Sequence, residues 1–262
     1  MPEYTFSLVN FEILLLILVR VACFVSVAPF FGTEGVPKRV KAGFSAFTAL
    51  VIYGAADKTG IGYTGLFGYA VIVLKEGITG LLIGLAANVC NSIILFAGNV
   101  IDMDIGLSMA MQFNPMTRSQ VSITGNLYQY FVLLLLVVTD MHHFILRAMV
   151  DSYRVIPVNG QIFDWDSLLT SMVMFMTDMF VIAFRIMLPI FVCIMILNCI
   201  LGIMAKVAPQ MNMFAIGMQL KVLVGLTVLI LAFTLLDSIA DNIAQEMKRL
   251  VVYMIKGMYV SE

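Results

Sequence analysis

Apolar positions dominate the chain, and charged residues mark where each apolar run stops. Charge-free runs at 77–101, 119–139 and 186–205 reach the ~20 residues that a helix needs to cross a bilayer. Runs at 42–56, 207–220 and 222–236 are shorter. Two further stretches carry charge within them. Arg20 stands in the middle of 13–31, and Lys75 and Glu76 interrupt 66–98. The pattern predicts helices throughout, but four to six ordinary spans fit it poorly.

Two segments change character. In "DMHHFILRAMVDSYR", residues 140–154, Asp140, His143, Arg147, Asp151 and Arg154 fall on one side. Phe144, Ile145, Ala148 and Met149 fall on the other, which predicts an amphipathic interface helix. The turn "VIPVNG" follows and ends at Gly160. From Asp237 a second amphipathic helix sets Asp241, Gln245, Lys248 and Arg249 opposite Ile239, Ile243, Met247 and Leu250. Pro37 and Pro209 stand in turns, and Pro189 should kink the apolar run that contains it. No linker or low-complexity segment appears, so the chain reads as one all-helical unit.

Composition narrows the class. The chain is 61% hydrophobic and 12% charged, against about 25% charged in a soluble domain. It therefore lies in lipid or against other apolar protein. A net charge of -1 provides no basic field for nucleic acid. The acidic start, "MPEYTFSLVNFE", argues against a cleaved signal peptide. Cys23, Cys90, Cys193 and Cys199 lie in apolar runs and read as small buried residues. Lys38, Arg39 and Lys41 cluster after the first segment and suggest a cytoplasmic loop, whereas later loops mix signs.

Charges within apolar segments are costly, so they point to function or to contact with a partner. Here they are Arg20, Lys75, Glu76, Asp178 and Arg185, with Asp102, Asp104, Lys206 and Lys221 at segment ends. Asp178 and Arg185 share a helix face but are separated by ~10.5 Å along the axis, too far for an easy pair. Each either pairs with another helix or subunit or reaches an interface.

Catalytic chemistry is not evident. "GLSMA", Gly106 to Ala110, lacks the last glycine of a nucleophile elbow and has no positioned base beyond the distant His142 and His143. Asp102 and Asp104 are about 200° apart on a helix and make no dyad. His142 and His143 are adjacent, with no third ligand evident, so no metal site is expected. No phosphate-cradling loop is present. The reading is a non-enzyme without cofactor. Gly77, Gly80 and Gly84 in "GITGLLIG" predict close helix packing.

Four stretches combine at this point: "RVACFVSVAPFFGTEGVPKRVKAGFSAF", "EGITGLLIGLAANV", "AGNVIDMDIGLSMAMQFNP" and "LNCILGIMAKVAPQMNMFAIGMQLKVLVGL". In this order and spacing they resemble the FliR family, the export-gate component of flagellar type III secretion. "VPKRVK" and "VAPQMNMF" are the most specific. The likeness covers almost the whole chain. It departs at Asp104, where the family commonly has glutamine, and at Asn114, where an aspartate often precedes the proline.

The resemblance implies one export-gate domain over 1–262. About 1–180 would be FliP-like and about 181–262 FliQ-like. It implies a conical assembly with FliP and FliQ in the bacterial inner membrane at the flagellar basal body, much of it at periplasmic level. FlhB and FlhA would be further partners, and unfolded export substrates the cargo. "KVAPQMNMF" would turn toward the cytoplasm, with Lys206, Pro209, Gln210 and Asn212 near FlhB.

The stretch "GLSMAMQFNPMTRSQ" would be a pore plug. Gly106 and Pro115 make it a poor helix, and irregular backbone must lie within protein or line a cavity. Met109, Met111, Phe113 and Met116, with Asn114 before the proline, would seal the pore and reseat around passing polypeptide. The residues alone favour a surface connection between two membrane helices here, and it is the resemblance that implies a plug. For the whole chain the alternatives are the related virulence-system subunit and a membrane transporter. A secondary transporter would need related halves, and no repeat links 1–130 with 131–262.

Overall fold

The computed structural model describes residues 8–33, 35–55, 62–63, 65–108, 122–210 and 212–259. Every regular element among them is helical. The order is α1 (Leu8–Val27), α2 (Lys38–Ala55), α3 (Gly65–Ile105), α4 (Ile123–Val138), α5 (Met141–Val155), α6 (Trp165–Val207), α7 (Met213–Ala232), a 3-10 turn (Phe233–Leu235) and α8 (Leu236–Gly257). The all-α expectation holds.

Four helical stretches are long and apolar enough to cross a membrane: Val9–Val27, Gly65–Ile105, Trp165–Val207 and Met213–Gly257. A fifth arises if α4 and α5 form one broken span. The irregular spacing of the runs has a direct cause. α3 and α6 are 41 and 43 residues long, roughly twice a ~20-residue span. Their internal charges therefore divide the apolar runs but lie within single continuous helices. α6 also continues past Pro189.

Capping explains several boundaries. The Pro37 carbonyl accepts from the Val40 and Lys41 amides as α2 begins. Ser122 caps α4 by accepting from the Gly125 amide at 2.8 Å. Asn212 caps α7 through the Ala215 amide.

The chain forms two compact units. The first comprises 1–89, 140–175 and 245–262. Within it α1 lies against the small-residue stripe of α3. A Cβ at Gly80 would overlap the Arg20 carbonyl, and one at Gly84 would meet the Phe24 carbonyl at 2.9 Å. Leu16, Ile17, Val21 and Phe24 are fully buried. α5 buries Ile145 and Met149, and its charged side faces outward. The end of α8 is joined to the linker before α6: the Ile162 amide donates to the Met258 carbonyl and the Asp164 amide to that of Gly257.

The second unit comprises 90–139 and 176–244. Gly98 meets Gly125 so closely that a Cβ on Gly98 would overlap the opposing backbone. Phe96 packs edge-on against Phe180 at 5.4 Å, and Phe131 against Phe233 at 4.4 Å. The Tyr128 hydroxyl donates to the Leu229 carbonyl at 3.4 Å.

Candidate functional site

The second unit holds the base of the methionine-rich segment. α3 ends at Ile105, and Gly106 follows with φ +93°, a left-handed conformation that a side chain resists. Just before this end, Asp102 is 3% exposed. Its carboxylate accepts from the Ser122 hydroxyl at 2.7 Å, from the Thr124 amide at 3.3 Å, and from the Thr124 hydroxyl. A buried carboxylate needs such donors, and it also meets the positive N-terminal end of α4. The clasp joins residues twenty apart in sequence, so both ends of the intervening segment are anchored to one point. Met109, Met111, Phe113, Asn114, Pro115 and Met116 lie outside the described residues.

Two residues beyond Asp102, on the opposite side of α3, Asp104 faces a cavity of about 230 Å³. Gly106, Asn198, Met213, Phe214, Met218 and Lys221 also line it. One carboxylate oxygen of Asp104 is buried with no hydrogen-bond partner. The 200° separation of Asp102 and Asp104 thus gives two jobs: one closes the loop base and the other faces the cavity.

The first unit holds a buried ionic centre. Arg20 and Glu76 are both fully buried, with Arg20 Nε donating to Glu76 Oε2 at 2.5 Å. Arg20 Nη1 donates to the Ile156 carbonyl at 3.0 Å, and its guanidinium lies over the Tyr153 ring at 4.1 Å. The other Glu76 oxygen accepts from the Asn159 amide at 3.0 Å and the Gln161 amide group at 2.6 Å. The Tyr153 hydroxyl donates to the Ile17 carbonyl.

The remaining sequence candidates are placed individually. Lys75 is half-buried, Asp178 half-buried and Arg185 exposed. Lys206, Pro209, Gln210 and Asn212 are exposed at the turn between α6 and α7. Among the described residues, Asp140, His142 and His143 bring three ligand atoms within 4.8 Å of one another. No third ligand is evident from helical spacing, which makes Asp140 part of the charged face of 140–154; in the structure Asp140 instead precedes α5 with φ +58°.

Sequence reasoning marked Arg20 and Glu76 but did not pair them, and it missed Gln161, Tyr153 and the Ser122–Thr124 clasp. Ser122, three residues before Gly125 and ahead of an apolar run, carried a readable cap signal. Gln161 carried none.

The model of the family described as bacterial export proteins, family 1, matches residues 11–247. The chain belongs to this family, the FliR-type flagellar export proteins. A family member from Bacillus subtilis (strain 168), "Flagellar biosynthetic protein FliR", is 28% identical over 89% of this chain and 90% of its own length. The protein of the same name from Escherichia coli (strain K12) is 23% identical over 92% of each. That from Aquifex aeolicus (strain VF5) is 24% identical over 93% of this chain and 94% of its own. The family member is a subunit of the flagellar export apparatus and a membrane-embedded component. Its family is one of export proteins rather than a known enzyme family.

Proposed function

We propose that the chain is a gate subunit of the protein-conducting channel, assembled with FliP and FliQ, through which unfolded flagellar substrates pass. In this reading about 1–180 takes the FliP-like place and about 181–262 the FliQ-like place. FlhB lies at the Lys206–Asn212 turn, FlhA nearby, and much of the assembly stands at periplasmic level. The segment from Gly106 to Gln120 plugs the closed pore.

The observation that carries the reading is the family match across nearly the whole chain. Two physical features support it. The Asp102 clasp anchors both ends of the proposed plug, as a segment that moves aside and returns requires. The apolar surface also exceeds what the chain itself covers. Only 17% of the apolar window in Met213–Gly257 is buried within the protein. Such a surface suits lipid or neighbouring subunits.

Deleting the chain should abolish secretion of flagellar rod and filament substrates while the ATPase that energises export stays active. Normal secretion from the deletion strain overturns the proposal.

A further inference from the structure

The start of α5 carries a donor set with no part in the proposed gate. Asp140 precedes the helix with φ +58°, a conformation that a non-glycine residue adopts at a cost, and its side chain makes no capping bond. Its carboxylate instead turns to His143, with Oδ1 at 3.2 Å from Nδ1. The His142 ring lies 4.0 Å from the His143 ring, the planes inclined by 37°. His142 Nδ1 is buried and has no hydrogen-bond partner.

We propose that Asp140, His142 and His143 form a binding site for one zinc ion. Two ligands at about 2.0–2.1 Å from a tetrahedral zinc lie roughly 3.3–3.4 Å apart. The Asp140–His143 separation already meets that spacing. The three ligand atoms lie within 4.8 Å of one another, so His142 needs a shift of roughly 1.5 Å, the scale of a ring rotation. A plain hydrogen bond between Asp140 and His143 accounts for that pair but leaves His142 Nδ1 without a partner. With the His142 ring rotated, a shared ion engages all three side chains.

The donor chemistry narrows the metal. Two imidazoles and one carboxylate suit zinc and its first-row neighbours, whereas calcium and magnesium take oxygen ligands. The side chains of His143 and Asp140 are 61% and 76% exposed, which leaves the fourth position to water. The negative carboxylate offsets the unfavourable helix end that a cation meets here. The ion ties the residue before α5 to the first turn of that helix and holds Asp140 in its left-handed conformation.

The test uses the full chain in detergent, purified without a polyhistidine tag and stripped with chelator. Zinc titrated by calorimetry should bind at one ion per chain, and cobalt in its place should give a visible absorption band. His143→Ala, at an exposed position, should weaken zinc binding by at least about 10–100-fold with helix content unchanged by circular dichroism. Asp140→Asn should weaken it in the same direction, and zinc should raise the thermal unfolding midpoint of the unsubstituted chain alone. Absence of saturable binding, or equal affinity in His143→Ala and the unsubstituted chain, overturns the site.

Discussion

At the scale of single residues, a charge inside an apolar helix is tolerable only when its polar atoms are answered. Glu76 meets that condition, with Arg20 on one oxygen and Asn159 and Gln161 on the other. Removing one partner of a buried pair leaves an uncompensated charge and costs about 3–5 kcal/mol, whereas replacing both with apolar residues is often neutral. Glu76→Ala should therefore lower stability in detergent by that amount, read as loss of helix signal against denaturant. The double change Arg20→Met with Glu76→Leu should recover most of the loss. A double variant as unstable as the single would show that the pair itself contributes the stability. Both charges were visible in the sequence as misfits. Their pairing was not, because helical spacing defines faces within a segment and says nothing about a partner 56 residues away. The cysteines teach the same lesson. All four lie in apolar runs, yet only Cys90 is buried, while Cys23 and Cys193 are half-buried and Cys199 is exposed. In a chain with so much uncovered apolar surface, an apolar neighbourhood in sequence does not imply burial within the chain.

At the scale of elements, the amphipathic helices were the most legible. α5 exposes His143, Arg147, Asp151 and Arg154 while burying Ile145 and Met149. α8 exposes Asp241, Gln245, Lys248 and Arg249 while burying Ile243, Met247 and Leu250. A period of 3.6 residues read against one buried face leaves little choice. The turn at Pro209 was equally plain. α6 stops at Val207, the 209–210 turn follows, and Asn212 caps α7. The exposed turn is accessible to a partner, and the proposed partner is FlhB. A photo-crosslinker at Gln210 should capture FlhB in membranes, detected as a shifted band that FlhB antibody recognises. Capture of periplasmic proteins alone would reverse the orientation. Apolar runs were poorer guides to helix length, since the charges that divide them do not end α3 or α6. A charged residue ends an apolar run without ending the backbone hydrogen bonding that makes a helix.

At the scale of the whole molecule, the apolar surface and the anchored segment support the same reading. Leu169, Val173, Phe184, Leu188 and Ile196 are exposed along α6, and such faces suit lipid or other subunits. Within the second unit, Asp102 holds the two ends of the methionine-rich segment together through Ser122 and Thr124. If that segment seals the pore, removing Met109 to Met116 should let ions or small molecules leak through membranes in which the gate is expressed. Leakage is measured as dye uptake or growth inhibition. Tight membranes with continued substrate passage would exclude the segment as the seal.

The sequence alone determined the helical class, the membrane setting, the amphipathic faces of α5 and α8, and the turn between α6 and α7. These depend on local periodicity, on composition and on prolines, all of which act over a few residues. The small-residue stripe at Gly77, Gly80 and Gly84 was also readable as a packing face, though not which helix would fill it. Tertiary structure alone decided that α1 fills it, that Arg20 meets Glu76, that Asp102 reaches Ser122 and Thr124, and that Asp140 turns back to His143. The first three depend on which distant segments meet, and the last on a left-handed φ at a residue that the helical pattern includes but the folded helix does not. Linear spacing encodes neither, because each is selected by the packing of the folded chain.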